Sequence, residues 1–311
     1  MMRDSLPVID GSPDAVAAAP GPDDHGDLMA LVELRQELLA RLAAEPALAE
    51  AESDLRRRLS TEFSPTRLEL HAVDWASPAP VLDSIMRHEA VHEIADRDEL
   101  RRRLQPADRR CYALFHPALP DVPVAFTEVA LTPGAVSSIT EMLDPGREPI
   151  AAEQATTAVF YSITSCQAGL RGISFGDVLL KGAVAALDRE LPHLTEFVTL
   201  SPLPGFRRWL DGAGAAGEFA ETSAESETAS NQPRRGSGRA AADDESLRRA
   251  AEAYLLREQL ADGRPADAVA RFHLGNGARL ERVQLHADPS ERGMQASFGV
   301  MACYRYERQT A

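Results

Sequence analysis

Apolar residues along this chain recur first at helical and then at strand spacing. Leu28, Leu31, Leu34, Leu38 and Leu42 fall three or four residues apart, which predicts an amphipathic helix capped by Asp27 and ended by Pro46. A second helix is predicted over 47–60, with Leu48, Ala51, Leu55 and Leu59 on its inner face and Arg56–Arg58 outside. Helices over 80–92, with Val81, Ile85 and Met86 inward, and over 98–104 complete a helical opening third. From Cys111 the alternation shortens. Arg109–Phe115 and Val122–Leu131 flank the turn HPALPD as a hairpin, and 136–143 reads as a short helix. Ala158–Thr164 is β-branched and aromatic, as a buried strand should be. Gly169, Gly172 and Gly176 then punctuate a turn, Val178, Leu179, Val184 and Leu187 resume helical spacing, and Phe197–Leu200 is a further strand ending in Ser201-Pro202. A helix over 245–260 and strands over 278–286 and 298–306 close the chain; in the last, Val300, Ala302, Tyr304 and Tyr306 share one face by the two-residue period.

The strand, glycine turn and helix at 158–190 make an anion site by geometry. The first N–H groups of a helix lack internal partners and its dipole is positive there. Arg171 and Lys181 add positive charge beside it, so a phosphate-bearing ligand would suit the turn. The spacing is neither a G-K-[ST] loop nor a G-x-G-x-x-G fingerprint, and the same glycines would serve a plain turn that needs their backbone freedom.

Composition narrows the class. The 311 residues suit one large or two modest domains, and 44% hydrophobic with 26% charged residues is ordinary for a globular protein with a sizeable core. A net charge of −15 argues against nucleic acid as a partner, and no apolar run is long enough to span a bilayer. Residues 1–26 are acidic and proline-rich, which predicts a disordered tail and resembles neither a secretory signal nor a mitochondrial presequence. Residues 212–244, rich in Ala, Gly, Ser and Glu, read as a flexible excursion. Cys111, Cys166 and Cys303 form no C-x-x-C pair, which predicts buried, reduced thiols and a cytoplasmic location. His88-Glu89-Ala90-Val91-His92 fits the H-E-x-x-H zinc pattern, but it sits in a short, charged segment and no third ligand follows at a recognisable spacing; no metal is predicted.

Seven blocks carry a more specific likeness. They are EAVH (Glu89–His92), RRCY (Arg109–Tyr112), FHPALPDVPVAFTEVALT (Phe115–Thr132), YSITSCQAGLRGISFGD (Tyr161–Asp177), TLSPLPGF (Thr199–Phe206), FHLGNGARL (Phe272–Leu280) and ADPSERGMQASFGVMACYRY (Ala287–Tyr306). In this order they resemble the malonyl-CoA decarboxylase family, from about Asp27 to Tyr306. The resemblance implies an α+β architecture: a partial helical domain over 27–105, used for homo-oligomerisation, and an acetyltransferase (GNAT)-like mixed α/β catalytic domain over 106–311. In that fold two central strands splay around acyl-CoA, and the pyrophosphate rests on the loop after one of them, here Arg171-Gly172-Ile173-Ser174-Phe175-Gly176-Asp177.

The reaction implied is loss of CO2 from a malonyl thioester. It needs donors aimed at an enolate oxygen and an acid for the α-carbon, and no cofactor, since the thioester of the malonyl-CoA substrate is the electron sink. His273 occupies the family's catalytic histidine position and is the expected proton donor; read alone, it is a histidine at a strand–turn junction. Ser201 takes the catalytic serine position, to orient the acyl group; read alone, it is a serine before proline at a strand end. Tyr306 could hydrogen-bond His273 or the acyl group and, read alone, is an aromatic at a strand edge, and Asn276 is expected to hold its own turn ahead of assisting the ligand site. The chain departs from the family in starting late, as an N-terminally shortened member, and in Ser174 and Gly275, where some members carry Glu and Gln. The alternatives are an acyl-CoA-dependent acyltransferase and a non-catalytic acyl-CoA binder.

Overall fold

The computed structural model describes residues 25–212 and 237–308. The tail expected over 1–26 falls outside these residues up to position 24, and the excursion expected over 212–244 falls outside them between 213 and 236.

Helix α1 (His25–Arg41) buries Leu28, Leu31, Leu34 and Leu38, as the spacing requires, but it starts ahead of Asp27, which lies within its first turn rather than at its cap. Helix α2 (Ala49–Glu62) follows a 3-10 turn over Pro46–Leu48 and buries Ala51, Leu55 and Leu59. Strand β1 (Glu69–Ala72) pairs antiparallel with the next strand and is mostly exposed, so no apolar alternation announces it. Helix α3 (Ala79–His88) stops short of the predicted His92. The Glu89 carboxylate accepts the N–H groups of Val91 and His92, both at 2.8 Å, and turns the chain out of the helix. The two histidines of the H-E-x-x-H match therefore do not share a helix face, and no cluster of three His, Cys, Asp or Glu among the described residues could hold a metal ion.

Helix α4 (Arg97–Leu104) precedes the hairpin of β2 (Arg109–His116) and β3 (Leu119–Thr132), as predicted. Helix α5 (Ile139–Leu143) is shorter than the apolar spacing suggested, because Ser138 caps it by accepting from the N–H groups of Thr140 and Glu141. Then come β4 (Thr157–Ser165), α6 (Gly176–Glu190), β5 (Glu196–Thr199), β6 (Ser201–Pro202), α7 (Phe206–Gly212), α8 (Ser237–Arg257), α9 (Ala268–Gly275), β7 (Arg279–Gln284), α10 (Glu291–Ser297) and β8 (Met301–Tyr306). Of these, α7, α9 and α10 were not anticipated, and α8 begins and ends earlier than the predicted 245–260.

The strands form one sheet in the order β1-β2-β3-β4-β5-β8-β6, with β7 also on β8. The α+β class expected from the sequence holds. Strands β4 and β5 run parallel from Thr157↔Glu196 to Phe160↔Thr199. One more bond, Leu200 N–H to Phe160 O at 3.1 Å, ends their pairing. Strand β4 then continues to Ser165, while the chain beyond β5 stays on β8 through β6.

By packing, the chain divides into two compact units. One comprises the described residues up to Leu100 with Cys111–Thr127 and Ile163–Ala183; the other comprises Arg101–Arg110, Glu128–Ser162 and the described residues from Val184 onward. The core of the first joins Leu31, Leu38, Leu55, Leu59 and Phe63 to Phe175 and Leu179. The core of the second includes Val159, Tyr161, Val198, Leu200, Met301 and Cys303. All three cysteines are buried thiols. No helix among the described residues is long and apolar enough to cross a membrane.

Candidate active site

In the second unit, strands β5 and β6 both pair antiparallel with β8. Phe197↔Tyr306 and Val198↔Arg305 lie on one side, Ser201↔Ala302 and Pro202↔Met301 on the other, in one unbroken register. Between them the backbone ladder lapses, and the Thr199 side chain takes over: its Oγ1 accepts the Tyr304 N–H at 3.2 Å. Ser201 emerges directly after this gap.

His273 reaches the same place from helix α9. The Asp267 carboxylate caps that helix, accepting the N–H groups of Val269 and Ala270 at 2.9 and 2.8 Å through Oδ1. Its Oδ2 accepts the Tyr254 hydroxyl from α8 at 3.1 Å. The predicted strand–turn setting of His273 is thus corrected: it lies in the last turn of a short helix, which Asn276 closes through its own N–H to the Phe272 and His273 carbonyls before Gly277 turns at φ +83°. The Asn276 turn is held by that backbone group.

The His273 ring sits between two hydroxyls. Nε2 is 2.9 Å from Ser201 Oγ, and Nδ1 is 2.9 Å from Tyr306 Oη. Its face stacks on Tyr304, centroids 4.5 Å apart and planes within 22°. Ser201, His273 and Tyr306 are all buried, and burial pushes the imidazole pKa from the usual 6.5 down to about 3. The ring is therefore neutral at physiological pH, and its two nitrogens, which would be costly to bury unpaired, each meet a hydroxyl. A neutral imidazole between two hydroxyls can pass a proton from one side to the other without separating charge. The three residues expected to act together are brought together.

The glycine turn belongs to the first unit. After β4 a 3-10 turn over Ala168–Leu170 leads into Arg171–Asp177 and the start of α6. Gly169 backs onto the Val32 carbonyl of α1 so closely that no Cβ would fit, and Gly172 adopts φ +81°. The buried Arg35 guanidinium donates to the Gly169 carbonyl at 2.6 Å and the Arg171 carbonyl at 2.9 Å, while Glu52 accepts its Nε and Nη2 at 3.0 and 2.7 Å. Arg56 donates to the Gly172 carbonyl at 3.1 Å. The side chains of Arg171 and Ser174 are exposed, Phe175 is in the core and Ile173 packs against it. Lys181 is not the free charge expected beside the turn, since Asp177 in the first turn of α6 holds it at 2.5 Å.

Sequence reasoning missed Thr199, Tyr304, Asp267, Tyr254 and Arg35. Asp267 ahead of the apolar Ala268-Val269-Ala270 carried a readable cap signal, and Tyr304 shares a strand face with Tyr306. Two further cavities, of about 450 Å3 beside Arg109 and Arg147 and about 400 Å3 beside His71 and Phe115, include none of the Ser201–His273–Tyr306 cluster.

Known proteins resemble this chain over most of its length. Residues 66–311 match the malonyl-CoA decarboxylase C-terminal domain family. The mitochondrial malonyl-CoA decarboxylase of Anser anser anser is 37% identical over 310 residues, covering 91% of this chain and 61% of that protein. That of Rattus norvegicus is 34% identical over 310 residues, covering 90% and 63%. The chain thus spans less than two thirds of the length of these relatives. Among solved structures, malonyl-CoA decarboxylase from Rhodopseudomonas palustris superposes with a TM-score of 0.82 at 43% identity, covering 95% of this chain and 73% of that one. The Agrobacterium vitis enzyme gives 0.80 at 43%, covering 96% and 77%.

Proposed function

This chain belongs to the malonyl-CoA decarboxylase family, and we propose that it converts malonyl-CoA to acetyl-CoA and CO2, with His273 protonating the enolate and Ser201 orienting the acyl group. The observation that carries this reading is the buried hydrogen-bonded run Ser201–His273–Tyr306. In the reaction the bond between the α-carbon and the carboxylate breaks and its electron pair enters the thioester as an enolate. CO2 departs, and one proton completes the methyl group. Ser201 Oγ lies 2.9 Å from Nε2 and is suited to orient the acyl group against the ring.

A neutral imidazole is competent as the acid, because a thioester enolate is a stronger base than an imidazolate. Tyr306 on the opposite nitrogen can supply a proton in step and spare the ring a negative charge. Neutrality also helps the first step. An imidazolium beside the malonyl carboxylate would stabilise the ground state that must fall apart, and a neutral ring does not. Arg171–Asp177 is the segment we assign to the CoA phosphates, on the strength of its position between a strand and a helix start.

The test is acetyl-CoA and CO2 formation from malonyl-CoA by the wild type beside His273→Ala and Ser201→Ala. Each variant should lose about 10²–10⁴ in kcat, the range for a positioned acid–base group. No turnover by the wild type, acyl transfer to an added amine or thiol in place of free acetyl-CoA, or undiminished turnover by His273→Ala would sink the proposal.

A further inference from the structure

The hydroxyl of Ser201 has one proton, and where it points decides which nitrogen of His273 carries hydrogen. Ser201 Oγ donates to Thr199 Oγ1 at 2.9 Å and also lies 2.9 Å from His273 Nε2. With its proton spent on Thr199, the serine can meet Nε2 only as an acceptor, so Nε2 must bear the hydrogen. A neutral imidazole has a single N–H. Nδ1 is then bare and accepts the Tyr306 hydroxyl across 2.9 Å. Thr199 is itself fixed, fully buried at the lapse in the β5–β8 ladder with the Tyr304 N–H on its Oγ1.

We propose that Thr199 sets the tautomer of His273 and, through it, which ring nitrogen delivers the proton in the chemical step. Thr199 is a positioning residue here, acting through Ser201. The inference rests on the reading of His273 as the acid for the enolate. In that step the Nε2–H bond breaks and a C–H bond forms at the α-carbon, while Nδ1 takes the Tyr306 proton; afterwards Nδ1 returns that proton to the phenolate and Nε2 takes one from solvent, which restores the starting tautomer. The balance is one proton consumed per CO2 released, and the ring stays neutral. In the opposite tautomer a bare Nε2 would face the serine with nothing to give. Burial of the ring keeps it in the neutral form in which the distinction matters.

The experiment is nitrogen NMR of protein labelled with ¹⁵N-histidine, in which N–H and bare ring nitrogens resonate apart, with His273 assigned by the signals lost in His273→Gln. Wild type should show Nε2–H. Thr199→Val should move His273 toward Nδ1–H and lower kcat about tenfold or more with KM for malonyl-CoA within about twofold, and Thr199→Ser should restore both. A wild-type Nδ1–H signal overturns the inference, as does Thr199→Val that keeps Nε2–H or keeps full kcat. If the valine variant does not fold, the wild-type and serine spectra still decide the tautomer. Nε2–H in a wild type that leaves malonyl-CoA unchanged would support the tautomer while overturning the function proposed.

Discussion

Arg35 donates to the carbonyl of Gly169 at 2.6 Å, tying the first helix to the turn that follows β4. The same guanidinium holds the Arg171 carbonyl, and across a planar peptide this aims the Gly172 N–H the opposite way. Arg35→Ala should therefore deform the segment assigned to the CoA phosphates. We expect KM for malonyl-CoA to rise about tenfold with kcat nearly unchanged, and the melting temperature to fall, since each charge-assisted bond contributes roughly 1.5–3 kcal/mol. Arg35→Lys should recover little, because an ammonium cannot fork across two carbonyls. Steady-state kinetics with an unaltered KM would refute this.

The depressed pKa of His273, about 3, makes a specific statement about rate against pH. If the neutral ring is the acid, kcat should show no inflection near the ordinary histidine value between about pH 5 and 8. A descending limb centred near pH 6.5 to 7 in His273-dependent turnover would mean that an imidazolium does the work.

The same residue links stability to pH. Its folded pKa lies below its unfolded value of 6.5, so the unfolded chain binds more protons between the two. The stabilisation is fully present above about pH 6.5 and is lost progressively as the pH falls toward 3, by an amount on the order of a few kcal/mol. Urea titrations at a series of pH values should show a shallower acid slope for His273→Gln than for wild type. Equal slopes would count against the burial of the ring.

Asp267 joins the start of α9 to Tyr254, and the helix is only eight residues long. Asp267→Ala should cost about 1–2 kcal/mol, as lost caps do, and should lower kcat because the last turn carrying His273 loosens. Asp267→Asn keeps acceptors for the helix amides and should lie between wild type and alanine. Thermal melts and kcat measured on the same preparations would show whether the two losses travel together.

Legibility in the sequence followed periodicity. The β4–α6–β5 run was readable because Val159, Phe160 and Tyr161 are all core residues and Leu179 and Leu187 mark one helix face. The pairing of Ser201 with His273 came from block order matched to a family, since the two stand 72 positions apart and no local pattern connects them. Helix α9 escaped notice because its buried face is only Ala270 and His273, too few positions to show a period. Strand β1 escaped because an exposed edge needs no apolar alternation. Thr199 left no trace at all in the pattern: its partners, Ser201 and the Tyr304 N–H, are set by a lapse in strand pairing that exists only once the sheet is formed.

The three cysteines are buried, and burial raises the Cys166 thiol to about 12, with the nearby Glu89 carboxylate adding to the shift, so it carries almost no thiolate at neutral pH. A maleimide added to the native protein would find little to react with, and each sulfur would become modifiable only as its surroundings open. Uptake of such a reagent is accordingly a clock for local opening in both units, Cys111 and Cys166 reporting on the first and Cys303 on the strand beside His273.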